Sequence, residues 1–192
     1  MDKERDKGIS RRRLLTGALT VGVAAGSARL ARAALVASPR GAATVTIEEF
    51  APNGASRGIE NVPRVVKTDA EWRAQLPLLA WEVTRHDGTE PAFSGPYTTN
   101  HGDGLYACVC CGTMLFDSRT KFESGTGWPS FYRPISRYNV VERGDNGFGM
   151  RRVAVSCKRC DAHLGHVFDD GPRPTGLRYC MNSVSLAFTP RS

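Results

Sequence analysis

Two short cysteine spacings constrain this chain more than any other feature. Cys108 and Cys111 form one C-x-x-C, and Cys157 and Cys160 form another that begins 46 residues after the first ends. Two residues between ligands let a tight turn aim both sulfurs at one point, and two such knuckles complete a tetrahedral thiolate shell around Zn²⁺. A site with four protein ligands has no open position, so it staples distant loops and leaves chemistry to other residues. A pair of disulfides is the competing arrangement. A disulfide inside a C-x-x-C is strained and reactive, however, which makes it an odd staple. Iron also suits four thiolates and would make the chain a coloured, rubredoxin-like electron carrier.

The other cysteines are Cys110, between two candidate ligands, and Cys180, which stands apart in Leu177-Arg-Tyr-Cys-Met-Asn-Ser183. Read as a strand, that segment puts Arg178, Cys180 and Asn182 on one face. Arg178 would then favour the thiolate of Cys180, which is the attacking form of a cysteine nucleophile. A small buried hydrophobe is the plainer use of a free cysteine. His163 and His166 follow the second knuckle. They read either as alternative metal ligands or as proton donors oriented by Asp169 or Asp170. The Gly-rich stretch 122–131 carries Trp128, which fits a core contact or the wall of an apolar pocket suited to a methyl group beside sulfur.

A length of 192 residues accommodates one domain and an extension. The net charge of +7 could suggest nucleic acid, but residues 1–33 hold +5 of it and the remainder only +2. No basic stripe interleaved with aromatics follows, which argues against a nucleic-acid groove. Residues 1–33 instead read as an export signal: a basic segment ending Ser10-Arg-Arg-Arg13, an apolar run from Leu14 to about Ala28, and Ala31-Arg-Ala33 as a small-x-small cleavage site. The paired arginines resemble a twin-arginine signal, which predicts bacterial export of the folded protein through that machinery to the periplasm, or a membrane anchor if the signal is retained. Loading a metal before export supplies a physical reason for that route.

Residues 34–61 show no sustained periodicity and read as a flexible linker. The domain proper is expected over 62–192. Thr68-Asp-Ala-Glu71 has the form of a capping box and predicts a helix to about Leu76. Pro77 ends that helix and suits the first turn of a second one, 77–85. Beyond His86, short apolar runs between Gly, Pro, Asp and Asn predict strands at 104–107, 151–156 and 179–188.

Taken together, the segments Tyr106-Ala-Cys-Val-Cys-Cys-Gly112, Leu115-Phe-Asp117, Gly127-Trp-Pro-Ser-Phe131, 160–172 and Arg178-Tyr-Cys-Met-Asn-Ser183 resemble methionine sulfoxide reductases of type B. That resemblance implies a mainly β fold of β-tent type, with two antiparallel sheets, short helices on the N-terminal side and a structural zinc held by Cys108, Cys111, Cys157 and Cys160. It implies Cys180 as nucleophile and His166 and Asn182 around the sulfoxide oxygen. His163, Asp170 and Arg178 match supporting positions, and Trp128 matches the wall of the methyl pocket. The expected substrate is the R epimer of methionine sulfoxide in oxidised proteins, reduced through a sulfenic acid on Cys180.

The chain departs from relatives that carry a resolving cysteine in the Gly-rich loop, because Thr126 stands there. Cys110 is then the one spare thiol, a possible resolving residue pinned beside the metal ligands. Direct recycling by a small thiol or a thioredoxin-like partner is the expectation. A zinc-knuckle binding module without chemistry is the alternative class, and it would have no need of Cys180 with Arg178, Asn182 and His166.

Overall fold

The computed structural model describes residues 43–146 and 152–192. The expected export signal of 1–33 lies outside these residues. Where a flexible linker is expected at 34–61, residues from Thr44 onward pair instead. Strand β1 (Thr44–Phe50) and strand β2 (Ser56–Pro63) form an antiparallel hairpin. The sequence conceals it because one residue of the hairpin does most of the anchoring: Ile47 is fully buried. The buried side chain of Asn139 also clamps the hairpin edge, accepting from the Glu48 amide at 2.8 Å and donating to the Glu48 carbonyl at 2.8 Å. That tether comes from 91 residues away, where no local pattern can announce it.

The helices fall where Thr68 and Pro77 place them. Helix α1 (Asp69–Gln75) opens on Thr68, whose hydroxyl accepts from the Glu71 amide at 3.3 Å while the Glu71 carboxylate accepts from the Thr68 amide at 2.7 Å. Helix α2 (Leu78–Arg85) follows directly after Pro77. Trp72, Leu76, Ala80 and Val83 are buried beneath the two helices, which cover the body of the domain as amphipathic elements do.

Two further sheets carry the rest. Strands β3 (Gly104–Cys108), β4 (Met114–Asp117) and β11 (Leu186–Pro190) form a three-stranded sheet in the order β11-β3-β4. Strands β5 (Lys121–Phe122), β6 (Ser130–Phe131), β7 (Val140–Asp145), β8 (Arg152–Cys157), β9 (His163–Phe168) and β10 (Arg178–Met181) form a six-stranded sheet in the order β5-β6-β10-β9-β8-β7. The described residues therefore make three antiparallel sheets, where two are expected, because the N-terminal hairpin pairs only with itself. The long strand expected at 179–188 is also broken. A 3-10 turn at Ser183–Ser185 passes the chain from the six-stranded sheet to the three-stranded one.

The strand period separates core from site. Tyr179 pairs with Phe131 on one side and Val167 on the other, and all three side chains are buried. Phe116 stacks on Phe131 at 4.4 Å between ring centroids, and Tyr106 meets the same ring edge-on at 5.1 Å, which closes the two larger sheets over one aromatic core. One residue along, Cys180 pairs with Ser130 and His166 on the opposite face. The alternation that buries Tyr179 thus presents Cys180.

Candidate active site

Cys180 and His166 are direct cross-strand partners in β10 and β9, so the pleat places both side chains on one face. They line a cavity of about 150 Å³ together with Thr89, Trp128, Arg152, Gly165, Phe168 and Asn182. Trp128 and Phe168 give it apolar walls, while His166, Asn182 and Cys180 give it polar groups. Gly165 is required where it stands, since a Cβ there would lie 2.1 Å from the Cys180 carbonyl oxygen. The close approach of β9 and β10 therefore depends on it.

The half-buried Cys180 sulfur lies 3.7 Å from the Thr126 hydroxyl. Thr126 belongs to a chain of hydroxyls: its oxygen is 2.9 Å from that of Ser124, which is 2.7 Å from that of the fully buried Ser130. Burial pushes the Cys180 thiol above its ordinary range, against the opposing pull of the Thr126 hydroxyl, the Arg178 charge and the Ser130 hydroxyl. Arg178 thus acts in the direction expected of it, but desolvation is the larger effect and the resting residue is held as a thiol.

Arg178 makes a bidentate pair with Asp170, with Nε and Nη2 each 2.8 Å from a carboxylate oxygen. Its guanidinium also lies over the Phe168 ring at 4.4 Å. Asp170 is therefore committed to Arg178, and a different carboxylate orients the histidine: His166 Nε2 lies 2.8 Å from Asp145 Oδ2. Arg152 donates to the same oxygen at 2.8 Å. His163 is buried behind, its ring 5.3 Å from that of His166 and its Nδ1 3.8 Å from Asp87. Burial lowers its pKa, which keeps it neutral near pH 7.

Asn182 is nearly fully enclosed. Its oxygen accepts from the Glu90 amide at 3.0 Å and its nitrogen donates to the Leu164 carbonyl at 3.1 Å. The second N–H of the amide group is left for the cavity that Asn182 lines. The Trp128 indole N–H donates to the Glu90 carbonyl at 3.1 Å. An indole ring held at its nitrogen is a cavity wall of fixed orientation, not filler in the core.

Cys108, Cys111, Cys157 and Cys160 also converge, with their sulfurs all within 4.8 Å of one another. The Cys108 and Cys160 sulfurs are 3.6 Å apart, as are those of Cys111 and Cys157. Four thiolates at the usual metal distance sit about 3.8 Å apart along the edges of a tetrahedron, so the cluster has the dimensions to hold a metal ion. None of the six cysteines is in a disulfide. Cys110 is buried beside this cluster and directs its sulfur to Thr84 of α2 at 3.4 Å, while its carbonyl accepts from Gln75 of α1. No contact among the described residues joins Cys110 to Cys180.

Comparison with known proteins decides between an enzyme and a binding module. Residues 76–190 match the family profile described as the SelR domain. A peptide methionine sulfoxide reductase MsrB of Herminiimonas arsenicoxydans is 58% identical over 125 residues, covering 65% of this chain and 91% of that protein. One from Pseudomonas putida is 54% identical over 128 residues, covering 67% and 98%. The mouse protein named methionine-R-sulfoxide reductase B3, mitochondrial, is 52% identical over 139 residues, covering 72% of this chain and 54% of its own length. The chain belongs to the type B methionine sulfoxide reductases.

It is accordingly an oxidoreductase acting on methionine sulfoxide. Of the residues that sequence reasoning picks out in this type B reductase, Cys180, His166, Asn182 and Trp128 share one cavity. Arg178 and Asp170 form a pair at its edge, and His163 lies behind His166. Asp145, Phe168 and Glu90 are the members it passes over, and Thr126, noted only for the missing resolving cysteine, proves to lie beside the Cys180 sulfur. Asp145 and Glu90 had no findable signal, being single acids in loops or at strand ends, whereas Phe168 could have been found as a next-but-one neighbour of His166 on the same strand face.

Proposed function

We propose that this reductase removes oxygen from the R epimer of methionine sulfoxide in oxidised proteins through attack by Cys180. The arrangement of Cys180 opposite His166, beneath the walls of Trp128 and Phe168, is the observation that carries the reading. The S-methyl group fits against the apolar walls, and the sulfoxide oxygen points at His166 and the free N–H of Asn182. The Cys180 thiolate forms a bond to the sulfoxide sulfur while the oxygen takes a proton from the His166 side. The substrate S–O bond and the bond between the two sulfurs then break, the oxygen passes as hydroxyl to the Cys180 sulfur, and methionine leaves with its sulfur as a thioether while Cys180 becomes a sulfenic acid. The substrate sulfur is reduced by two electrons and Cys180 is oxidised by two.

Recycling then draws on an external thiol. It condenses with the sulfenic acid to release water and form a mixed disulfide, which a second thiol or a thioredoxin-like dithiol resolves. The placement of Cys110 under the helices, turned towards Thr84, favours this route over an internal one. The metal is Zn²⁺, held by Cys108, Cys111, Cys157 and Cys160. The all-sulfur, fully occupied shell gives it a structural role. The twin-arginine pattern at Arg11–Arg13 supports export to the periplasm and a part in repairing oxidised exported proteins.

The test is reduction of separated R and S dabsyl-methionine sulfoxide with dithiothreitol. Only the R epimer is expected to turn over, and Cys180→Ser is expected to abolish turnover. Equal use of both epimers, or activity surviving in C180S, would overturn the proposal.

A further inference from the structure

Glu90 lies in the irregular segment between α2 and β3, carries no sequence signal, and is 1% exposed. Among the described ion pairs none involves it. A carboxylate buried without a cation is costly unless hydrogen bonds replace its water. Here the two oxygens accept from the main-chain amides of Ser183 at 2.6 Å and Val184 at 3.0 Å. Those amides open the 3-10 turn that follows β10 and begins three residues beyond Cys180. Gly95 closes over the carboxylate, since a Cβ on it would stand 2.6 Å from Glu90 Oε1. The glutamate is therefore clamped at its side chain to the turn that follows the nucleophile.

Its main chain is used as fully. The Glu90 amide donates to Asn182 Oδ1 at 3.0 Å and the Glu90 carbonyl accepts from Trp128 Nε1 at 3.1 Å. The first bond fixes which end of the Asn182 amide faces Leu164 and the cavity. Without that donor, oxygen and nitrogen could exchange places and the cavity would lose its N–H. The second bond fixes the plane of the indole. One residue thus holds two cavity walls and the end of the catalytic strand, and its neighbour Thr89 lines the cavity itself.

We infer that Glu90 is a positioning residue for the sulfoxide pocket: its carboxylate fastens the Ser183–Val184 turn, and its peptide groups set the orientations of Trp128 and Asn182. The inference rests on the reading of this cavity as the sulfoxide site. A neutral residue of equal size would fill the space but would leave one amide of the turn unpaired and let the peptide groups drift. Displacements of about an ångström in groups that orient a substrate cost up to about a hundredfold in rate.

Glu90→Gln is nearly isosteric and replaces one acceptor by a donor facing an amide. With R-epimer substrate and dithiothreitol, kcat/KM is expected to fall about tenfold, mainly through KM, and the Trp128 indole N–H resonance is expected to move in a proton–nitrogen correlation spectrum. In a Trp128→Phe background the same substitution should cost less than about threefold, because the wall it holds is already gone. Glu90→Asp, which keeps the charge with shorter reach, carries the same measurements should E90Q fail to fold. An unmoved Trp128 resonance, or a full additive loss in the Trp128→Phe background, would overturn the inference. Wild-type protein inactive on the R epimer would instead sink the reading of the cavity, while the resonance test of the Glu90 bond would still apply.

Discussion

The Thr126 hydroxyl stands 3.7 Å from the Cys180 sulfur, in the position from which a second thiol could reach it. This single relationship defines the chemistry left open to the chain after its first half-reaction. A hydroxyl can donate a hydrogen bond to a thiolate but cannot form a disulfide, so on the proposed mechanism a sulfenic acid at Cys180 would wait for an outside thiol. T126C is expected to convert the enzyme: one turnover without reductant should consume both thiols and link positions 126 and 180 with loss of water. Mass spectrometry of the wild type under the same conditions should find a trappable sulfenic acid. A Cys110–Cys180 disulfide in that sample would refute recycling by an external thiol.

Because burial holds the Cys180 thiol above its ordinary range, activity should rise with pH across the neutral region as the thiolate fraction grows. Arg178 opposes the burial, so R178Q should push the thiol further up, shift the rising limb of kcat/KM towards higher pH, and lower the rate near pH 7 about tenfold. A profile that keeps its position in R178Q would show that the guanidinium acts only by holding Asp170.

His166 takes its orientation from Asp145 at 2.8 Å, not from Asp169 or Asp170. D145N keeps the shape and removes the charge beside the imidazole. Its kcat should fall about tenfold or more with KM little changed, since proton delivery is needed only as the oxygen leaves. D170N should act differently, by releasing Arg178, and should alter the pH profile instead. The two variants assayed side by side across pH distinguish these roles.

The four clustered sulfurs predict one tightly held zinc per chain by elemental analysis. Removing it with a chelator at mildly acidic pH should unfold or loosen the domain, because β3, β4, β8 and β9 meet at the cluster. Cys157→Ser should destabilise by at least about 3 kcal/mol in denaturant titration, a loss typical of a broken structural metal site. A coloured, iron-bearing preparation would contradict the assignment.

Phe116 and Phe131 are fully buried and stacked at 4.4 Å, a contact that joins the two larger sheets. Phe116→Ala should cost about 3–5 kcal/mol, as large aromatic truncations in a close-packed core do. Activity of the fraction that remains folded should survive, since Phe116 packs on Phe131 and Tyr179 in the core between the sheets, while Cys180 lies on the opposite face of the six-stranded sheet. Denaturant titration with a parallel activity assay checks both.

The features legible in the sequence are those whose cause lies within a few residues. The knuckle spacing of Cys108/Cys111 and Cys157/Cys160, the capping box of Thr68 and Glu71, the stop at Pro77, and the alternation around Cys180 are local patterns, and ordered motifs along the chain were enough to name the family. The N-terminal hairpin, the break at Ser183–Ser185, the pairing of His166 with Asp145 and the clamp of Glu90 could not be read in that way. Each depends on a partner far along the chain, such as Asn139 for Glu48 or Ser183 for Glu90, 93 residues away. The sequence by itself determined the family and which four cysteines would come together. Only the tertiary structure decided which acid orients the histidine and whether the nucleophile rests as thiol or thiolate, because burial and charge at a point are set by every segment that packs around it.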